Sequence, residues 1–351
     1  MFRGATPVTV PLLEVEHLKV HLPVRQSARL FGSTTAYLRA VDGVSFRLDA
    51  GETLGIVGES GCGKSTLCRA ILQLTTITSG RVLWSGENLP DLSRQEMDRK
   101  RQELQMVFQD PAGSLNPRMT VGSAIAEPLK VFRPDMEPES RREAVHKMMQ
   151  AVGLPSELAN RYPHQFSGGQ CQRVAIARAM ILNPKLVICD EPVSALDIST
   201  QAQIVNLLKQ LQRETGAAFI FVSHDLSVVR YMCTRILVMY LGQVVEFATR
   251  DELFANPRHP YTRALLSAIH IVERGKRKGA RIVLSGEMPS PMDSPDGCVF
   301  HTRCQHATPW CRKEAPPLHA VTDSHQAACH YWSDLAEADG TAARRLGSVP
   351  E

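Results

Sequence analysis

Gly58-Glu59-Ser60-Gly61-Cys62-Gly63-Lys64-Ser65-Thr66 fits the pattern G-x-x-x-x-G-K-[ST] and follows the apolar run Leu54-Gly-Ile-Val57. A buried strand feeding such a loop, with a helix after it, forms a cradle for phosphate. Its glycines let successive backbone N–H groups turn toward one anion, and the helix adds its positive N-terminus. In this pattern Lys64 reaches the β- and γ-phosphates of a nucleotide and the Ser65 hydroxyl holds Mg²⁺. The stretch predicts an α/β fold around a parallel sheet.

The flanking sequence agrees. Ahead of the loop, Leu13-Glu-Val15 and Val41-Asp-Gly-Val44-Ser-Phe46 alternate in polarity and predict a small antiparallel sheet, with Arg25–Thr35 as an inserted polar loop. Beyond it, Leu104–Phe108, Leu186–Cys189, Phe219–Val222 and Ile236–Met239 read as buried strands. Ile204, Leu207, Leu208 and Leu211 recur at helical spacing between two of them, the signature of crossover helices in a parallel sheet. Residues 110–165 break the rhythm. They open with Pro111, Pro117 and Pro128, then show a helix near Glu139–Val152, and are too long for one crossover, which predicts a helical insertion. After about residue 255, Pro and Cys become frequent and periodicity fades, which predicts a separate appendage without a large core.

At 351 residues, with 43% hydrophobic and 22% charged residues, the composition is that of an ordinary globular protein. A net charge of +4 implies no particular partner, and the basic run Arg274–Lys278 reads as a solvated loop, so nucleic acid is not expected. No apolar stretch approaches the ~18 residues that cross a bilayer, and the N-terminus lacks a secretory pattern. The expectation is a cytosolic chain that meets membrane only through another protein.

The chemistry-bearing residues stand at the ends of the predicted strands. Leu186-Val-Ile-Cys-Asp190-Glu191 delivers two acids to the edge where ligands bind in open α/β sheets. Asp190 suits the outer shell of Mg²⁺, and Glu191 suits a general base that orients water. Gln109 follows Leu104–Phe108, and His224 follows Phe219–Val222 after Ser223; both are placed to meet a γ-phosphate. Ser167-Gly168-Gly169-Gln170 precedes a helix over Cys171–Leu182 and offers a second anion-binding helix end. One nucleotide needs only one phosphate loop, so this end predicts a dimer in which it closes over the partner's nucleotide.

In order, Gly58–Thr66, Gln109, Ser167–Gln170, Leu186–Glu191, Ser194-Ala-Leu-Asp197 and His224 resemble the Walker A, Q-loop, signature, Walker B, D-loop and H-loop of ABC transporter ATP-binding subunits. The resemblance covers about residues 12–255. Gln109-Asp-Pro, Ser114-Leu-Asn-Pro-Arg-Met-Thr120, Phe166-Ser-Gly-Gly-Gln-Cys-Gln-Arg-Val174, Asn256-Pro-Arg-His-Pro-Tyr-Thr-Arg-Ala-Leu265 and the Cys-rich tail are similar to the oligopeptide/dipeptide importer subfamily. Phe166 stands where the wider family has Leu. The resemblance implies a RecA-like P-loop NTPase core with an antiparallel β-subdomain and a helical part at about 110–182. It also implies an extension over 256–335 and a flexible tail over 336–351. It implies an ATPase with Mg²⁺, metal contacts from Ser65, Gln109 and Asp190, and hydrolysis by Glu191, Gln109 and His224. The implied partners are a distinct second ATPase chain, two transmembrane permeases and a periplasmic or lipid-anchored peptide-binding protein, with this chain on the cytoplasmic face of the inner membrane. The carried peptide stays open: dipeptides, murein peptides, glutathione or nickel fit the same architecture, and a soluble ABC ATPase is the reading outside transport. Tyr37, with Phe31 behind it, is the candidate to stack on adenine.

Cys298, Cys304, Cys311 and Cys329 place four thiols in 32 residues of that extension. A cytosolic disulfide is disfavoured, and four thiolates suit Zn²⁺ or a [4Fe–4S] cluster. The tight C-x₂₋₄-C knuckles of zinc ribbons are absent, so the spacing leans to iron–sulfur. His301, His306, His325 and His330 are nearby substitutes for one ligand.

Overall fold

A computed structural model describes residues 10–27, 33–268 and 282–337. Phe31, the basic run at 274–278 and the end of the tail lie outside them.

The chain opens with a long hairpin, β1 (Leu13–Ser27) and β2 (Ser33–Leu48). Its pairing runs on through Arg25 opposite Thr35 and Ser27 opposite Ser33, so the expected inserted loop is mostly strand. Next come β3 (Thr53–Val57), α1 (Lys64–Ile71), β4 (Ser79–Trp84), β5 (Glu87–Asn88), α2 (Arg94–Lys100) and β6 (Leu104–Val107). The order β2-β1-β4-β5 makes one antiparallel sheet, of which β4 and β5 have no counterpart in the sequence reading.

The insertion holds α3 (Pro111–Ser114), α4 (Val121–Phe132), α5 (Pro138–Ala151) and α6 (Gly168–Met180). α4 runs through Pro128, a residue that reads as a breaker. Its buried face of Val121, Ala124, Ile125 and Leu129 packs on the rest of the insertion, and this packing outweighs the lost hydrogen bond. Along α5 and its C-terminal end, Val145, Met149 and Val152 are buried, while Ala144 and Met148 are partly covered.

The chain returns to the core through β7 (Leu186–Asp190), α7 (Ile198–Thr215), β8 (Ala218–Ser223), α8 (Leu226–Met232), β9 (Arg235–Tyr240) and β10 (Gln243–Thr249). Asp197 caps α7, Ile204, Leu207, Leu208 and Leu211 form its buried stripe, and Gly216 closes it in the left-handed region at φ 67°. β3, β7 and β8 are buried at every residue, as strands covered on both faces must be. Alternate residues go to opposite faces: Val187, Cys189, Phe219 and Phe221 join the core under the helical insertion. Leu186, Ile188, Ile220 and Val222 join the core under the antiparallel sheet.

The last part contains α9 (Arg250–Ala255), α10 (Pro260–Ser267), α11 (Pro309–Lys313), β11 (His319–Thr322), β12 (His325–Ala327) and α12 (Asp334–Glu337). It is less separate than its composition suggests. β12 pairs with β10, so the second sheet runs β11-β12-β10-β9-β3-β8-β7-β6. Tyr261 and Phe300 enter the main core.

A buried polar knot fastens this junction. The Glu246 carboxylate, fully buried, accepts from the Arg258 and His259 N–H groups at 2.6 and 2.9 Å and lies 2.7 Å from His325 Nε2. His259 caps α10, its Nδ1 accepting from the Tyr261 N–H at 3.1 Å. Burial pushes the His259 imidazole down from 6.5 to about 4, with Glu246 opposing. As pH falls the unfolded chain takes up this proton first, so stability drops from pH 6.5 and levels off near 4. The contribution is about 3 kcal/mol. His259→Asn, which keeps a cap but does not titrate, is expected to flatten that part of the melting-temperature profile. An unchanged slope would refute the assignment.

Candidate active site

β3 ends at Val57 and the chain turns tightly under β2. At Gly63, φ is +105° and an added Cβ would sit 2.0 Å from the Ala40 carbonyl oxygen, so only glycine fits. Gly58 is equally constrained, its Cβ position lying 2.3 Å from the Met239 carbonyl oxygen. Gly63 begins α1 without a side-chain cap, which leaves the first-turn N–H groups open toward the loop. Within the loop Ser60 and Gly61 are exposed, Cys62 is buried, and Thr66 is half-buried.

Lys64 is only 4% exposed, and its Nζ donates to the Gly58 and Glu59 carbonyls at 2.8 and 2.9 Å. It lies 4.0 Å from Glu191 Oε1. The Ser65 hydroxyl donates to Asp190 Oδ1 at 2.9 Å. Burial raises the Asp190 carboxyl, with the Ser65 hydrogen bond opposing and the neighbouring Glu191 adding to the rise. A hydroxyl and a carboxylate held together are hard oxygen donors, the set that suits Mg²⁺.

Because β6, β7 and β8 are parallel neighbours, their ends meet at one place. Gln109, two residues past β6, donates from Nε2 to Glu191 Oε2 at 3.1 Å. His224, one residue past β8, has Nδ1 3.5 Å from the same oxygen. Glu191 itself is left-handed at φ 46°, a costly conformation for a residue with a Cβ. Its N–H is tied to the Val222 carbonyl at 3.1 Å, so the strained turn is held and the carboxylate faces both neighbours. A carboxylate flanked by two orienting groups and an ammonium is equipped to take a proton from a water beside an anion.

Ser167–Gln170 stands apart. The Ser167 hydroxyl accepts from the Gln170 N–H at 3.3 Å while Gln170 Oε1 accepts from the Ser167 N–H at 2.9 Å, a reciprocal cap on α6. Gly168 and Gly169 pack beside Leu196 and Thr200, and Ile198 on the same turn is 86% exposed. Among the described residues no hydrogen bond joins this face to the Gly58–Thr66 loop. Tyr37, 56% exposed on β2, lies three residues before Ala40, whose carbonyl meets Gly63.

Residues 41–194 match the family described as ABC transporter, and residues 245–311 match the C-terminal region of oligopeptide/dipeptide transporters. The chain is 54% identical over 319 residues to the oligopeptide transport ATP-binding protein OppF of Escherichia coli, covering 91% of this chain and 95% of that one. The chain belongs to the ABC transporter ATP-binding family. It is 50% identical to the oligopeptide transport ATP-binding protein AppF of Bacillus subtilis, over 92% of this chain and 98% of that one. Among solved structures it resembles the dimeric, post-hydrolysis ATP-binding cassette MJ0796 bound to ADP and Pi, with a TM-score of 0.60 and 32% identity. That likeness covers 68% of this chain and 98% of the other. This ABC ATPase thus has the fold that its loop and strand ends predict, and among its described residues no helix is long and apolar enough to cross a membrane.

The tail departs from expectation. Cys298, Cys304, Cys311 and Cys329 line one enclosed cavity of about 20 Å³ together with His301, His306 and His330. Burial raises Cys298, pushes Cys304 up to about 11 and Cys329 up to about 12. Yet among the described residues no three His, Cys, Asp or Glu groups are arranged to hold a metal ion, so the thiols converge without forming the expected site. His325 is not among the lining groups, because Glu246 engages it. Two residues in contact with the phosphate loop were not singled out as site residues: Tyr261, which lies in the quoted Asn256–Leu265 segment, and Arg303. They lie 202 and 244 positions from Glu59, and no spacing rule links them.

Proposed function

We propose that this ABC ATPase powers uptake of oligopeptides from the cytoplasmic face of the inner membrane, as a peripheral subunit of an importer. The single observation that carries hydrolysis is the meeting of Gln109, His224 and Lys64 on the Glu191 carboxylate. In the proposed reaction Glu191 takes the proton from water as its oxygen attacks the γ-phosphorus, and the bond to the β,γ-bridging oxygen breaks to leave ADP. Gln109 and His224 orient the water and the γ-phosphate, Lys64 and the loop amides of Gly61–Thr66 hold the phosphates, and Tyr37 stacks on adenine. Ser65, Gln109 and Asp190 would hold Mg²⁺, which when bound supplies charge neutralisation at the phosphates.

The Ser167–Gln170 face, exposed at Ser167 and Gly168, supports a composite site closed by a related but distinct second ATPase chain. A cleft of about 760 Å³ between the end of β6 and α4, lined by Gln109, Asp110, Glu127, Phe132 and Arg178, supports docking of one of the two permease subunits there. A periplasmic or lipid-anchored binding protein would deliver the peptide. We retain 12–255 as the nucleotide-binding part and 256–335 as the extension. Expression with its neighbouring genes tests the assembly: co-purification with two permeases and a sister ATPase, and ATP hydrolysis stimulated by peptide-loaded binding protein, are expected. Full turnover by the isolated chain would overturn it. Dipeptide uptake is the second reading, favoured by the match of residues 245–311 to a region described for both transporter types.

For the tail we propose that the four cysteines hold a [4Fe–4S] cluster, with Zn²⁺ as the alternative. The convergence of the four thiols on one cavity supports this reading. Anaerobically purified protein is expected to carry iron and sulfide with visible absorption, lost in Cys304→Ser. Stoichiometric zinc without iron would exclude the cluster.

A further inference from the structure

We infer that the C-terminal extension sets the affinity of the phosphate loop, Arg303 by neutralising an acid inside that loop and Tyr261 by pinning its first peptide. The inference rests on the reading of Gly58–Thr66 as the ATP-binding loop. Glu59 occupies a position that the motif leaves free, and an anion there opposes a triphosphate. Arg303, with its side chain only 8% exposed, donates from Nη1 to Glu59 Oε2 at 2.8 Å. The guanidinium Nε has no partner among the described residues, so Glu59 is its anionic anchor. Arg303 is buried while the Glu59 side chain stays 29% exposed, so losing the guanidinium leaves a partly solvated acid in the loop, and losing Glu59 leaves a buried cation without its anion.

Tyr261 acts on the backbone. Its hydroxyl accepts from the Glu59 N–H at 2.7 Å, and the carbonyl of that same peptide, from Gly58, accepts from Lys64 Nζ at 2.8 Å. One peptide plane is therefore fixed at both ends, by the extension on one side and by the phosphate-binding lysine on the other. Tyr261 is itself immobilised among Tyr240 and Phe300, with ring centroids 4.8 and 5.4 Å away. The extension touches the loop region twice more. Met288 lies 3.5 Å from a Cβ placed on Gly61, and the Pro291 carbonyl accepts from the Arg39 N–H at 3.2 Å. Both Tyr261 and Arg303 are positioning residues, since they act on nucleotide only through the loop.

The test is titration of the full chain with fluorescent MgATP, alongside nucleotide-free melting. Arg303→Gln is expected to weaken binding about tenfold, and Arg303→Lys less. Adding Glu59→Gln to Arg303→Gln is expected to restore most of the affinity, because the unpaired acid is gone and an acceptor remains. Tyr261→Phe, which keeps the packing, is expected to weaken binding about fivefold. In the assembled transporter the KM for ATP should rise in these variants while kcat at saturation moves less than KM. Parental affinity in Arg303→Gln, no recovery in the double variant, or affinity loss that merely tracks a lower melting point would overturn the inference. If Arg303→Gln does not fold, Glu59→Gln alone decides: binding at least as tight as the parent is expected, and weaker binding refutes neutralisation. A parental chain that fails to bind MgATP would instead overturn the ATP-loop reading itself.

Discussion

Glu191→Gln is expected to bind MgATP and lose turnover by about 10²–10⁴-fold in the assembled complex, the range for removal of a general base. The substitution is nearly isosteric. An amide oxygen can still accept from Gln109 Nε2, which the carboxylate now meets at 3.1 Å, so the strained turn at φ 46° and the strand ends around it keep their support. What is lost is the capacity to take the proton from water. One negative charge beside Lys64 also disappears, so binding of an anionic nucleotide does not weaken. ATP then stays intact between the two ATPase chains, and the closed dimer accumulates. Single-turnover hydrolysis and gel filtration with ATP check both halves. Hydrolysis at the parental rate would remove Glu191 from the chemistry.

The strand-end residues were legible for a geometric reason. A parallel sheet brings the C-terminal ends of its strands to one edge, so a polar residue directly after an apolar run is placed there by the run itself. Gln109, Asp190, Glu191 and His224 all follow this rule, and three of them meet at one carboxylate. Features that depend on partners remote in sequence were not legible. β12 is three residues long and is a strand because β10 offers it an edge. α4 continues past Pro128 because its buried face packs inside the insertion. The clustering of four cysteines in one cavity followed from their density in the sequence, but the arrangement of their sulfurs depends on chain paths with almost no regular structure. Glu59 falls where the loop pattern accepts any residue, and its partner Arg303 lies 244 positions away.

Lys64→Ala is expected to weaken MgATP binding by at least about 10²-fold, because each hydrogen bond from an ammonium to a charged oxygen is worth roughly 1.5–3 kcal/mol. The fold should tolerate the change. Holding a cation away from water is costly, and its removal offsets the loss of two carbonyl contacts at 2.8 and 2.9 Å. Nucleotide-free melting therefore separates damage to the fold from damage to the site. At a nucleotide concentration about 1,000 times the parental Kd, binding stabilises the parent by about 4.1 kcal/mol, and a 10²-fold weaker site leaves about 1.4 kcal/mol. The MgATP-induced rise in melting temperature should shrink accordingly, while the baseline melting point stays near the parent's. An undiminished rise would mean that the ammonium between Gly58, Glu59 and Glu191 braces the loop and does not hold phosphate.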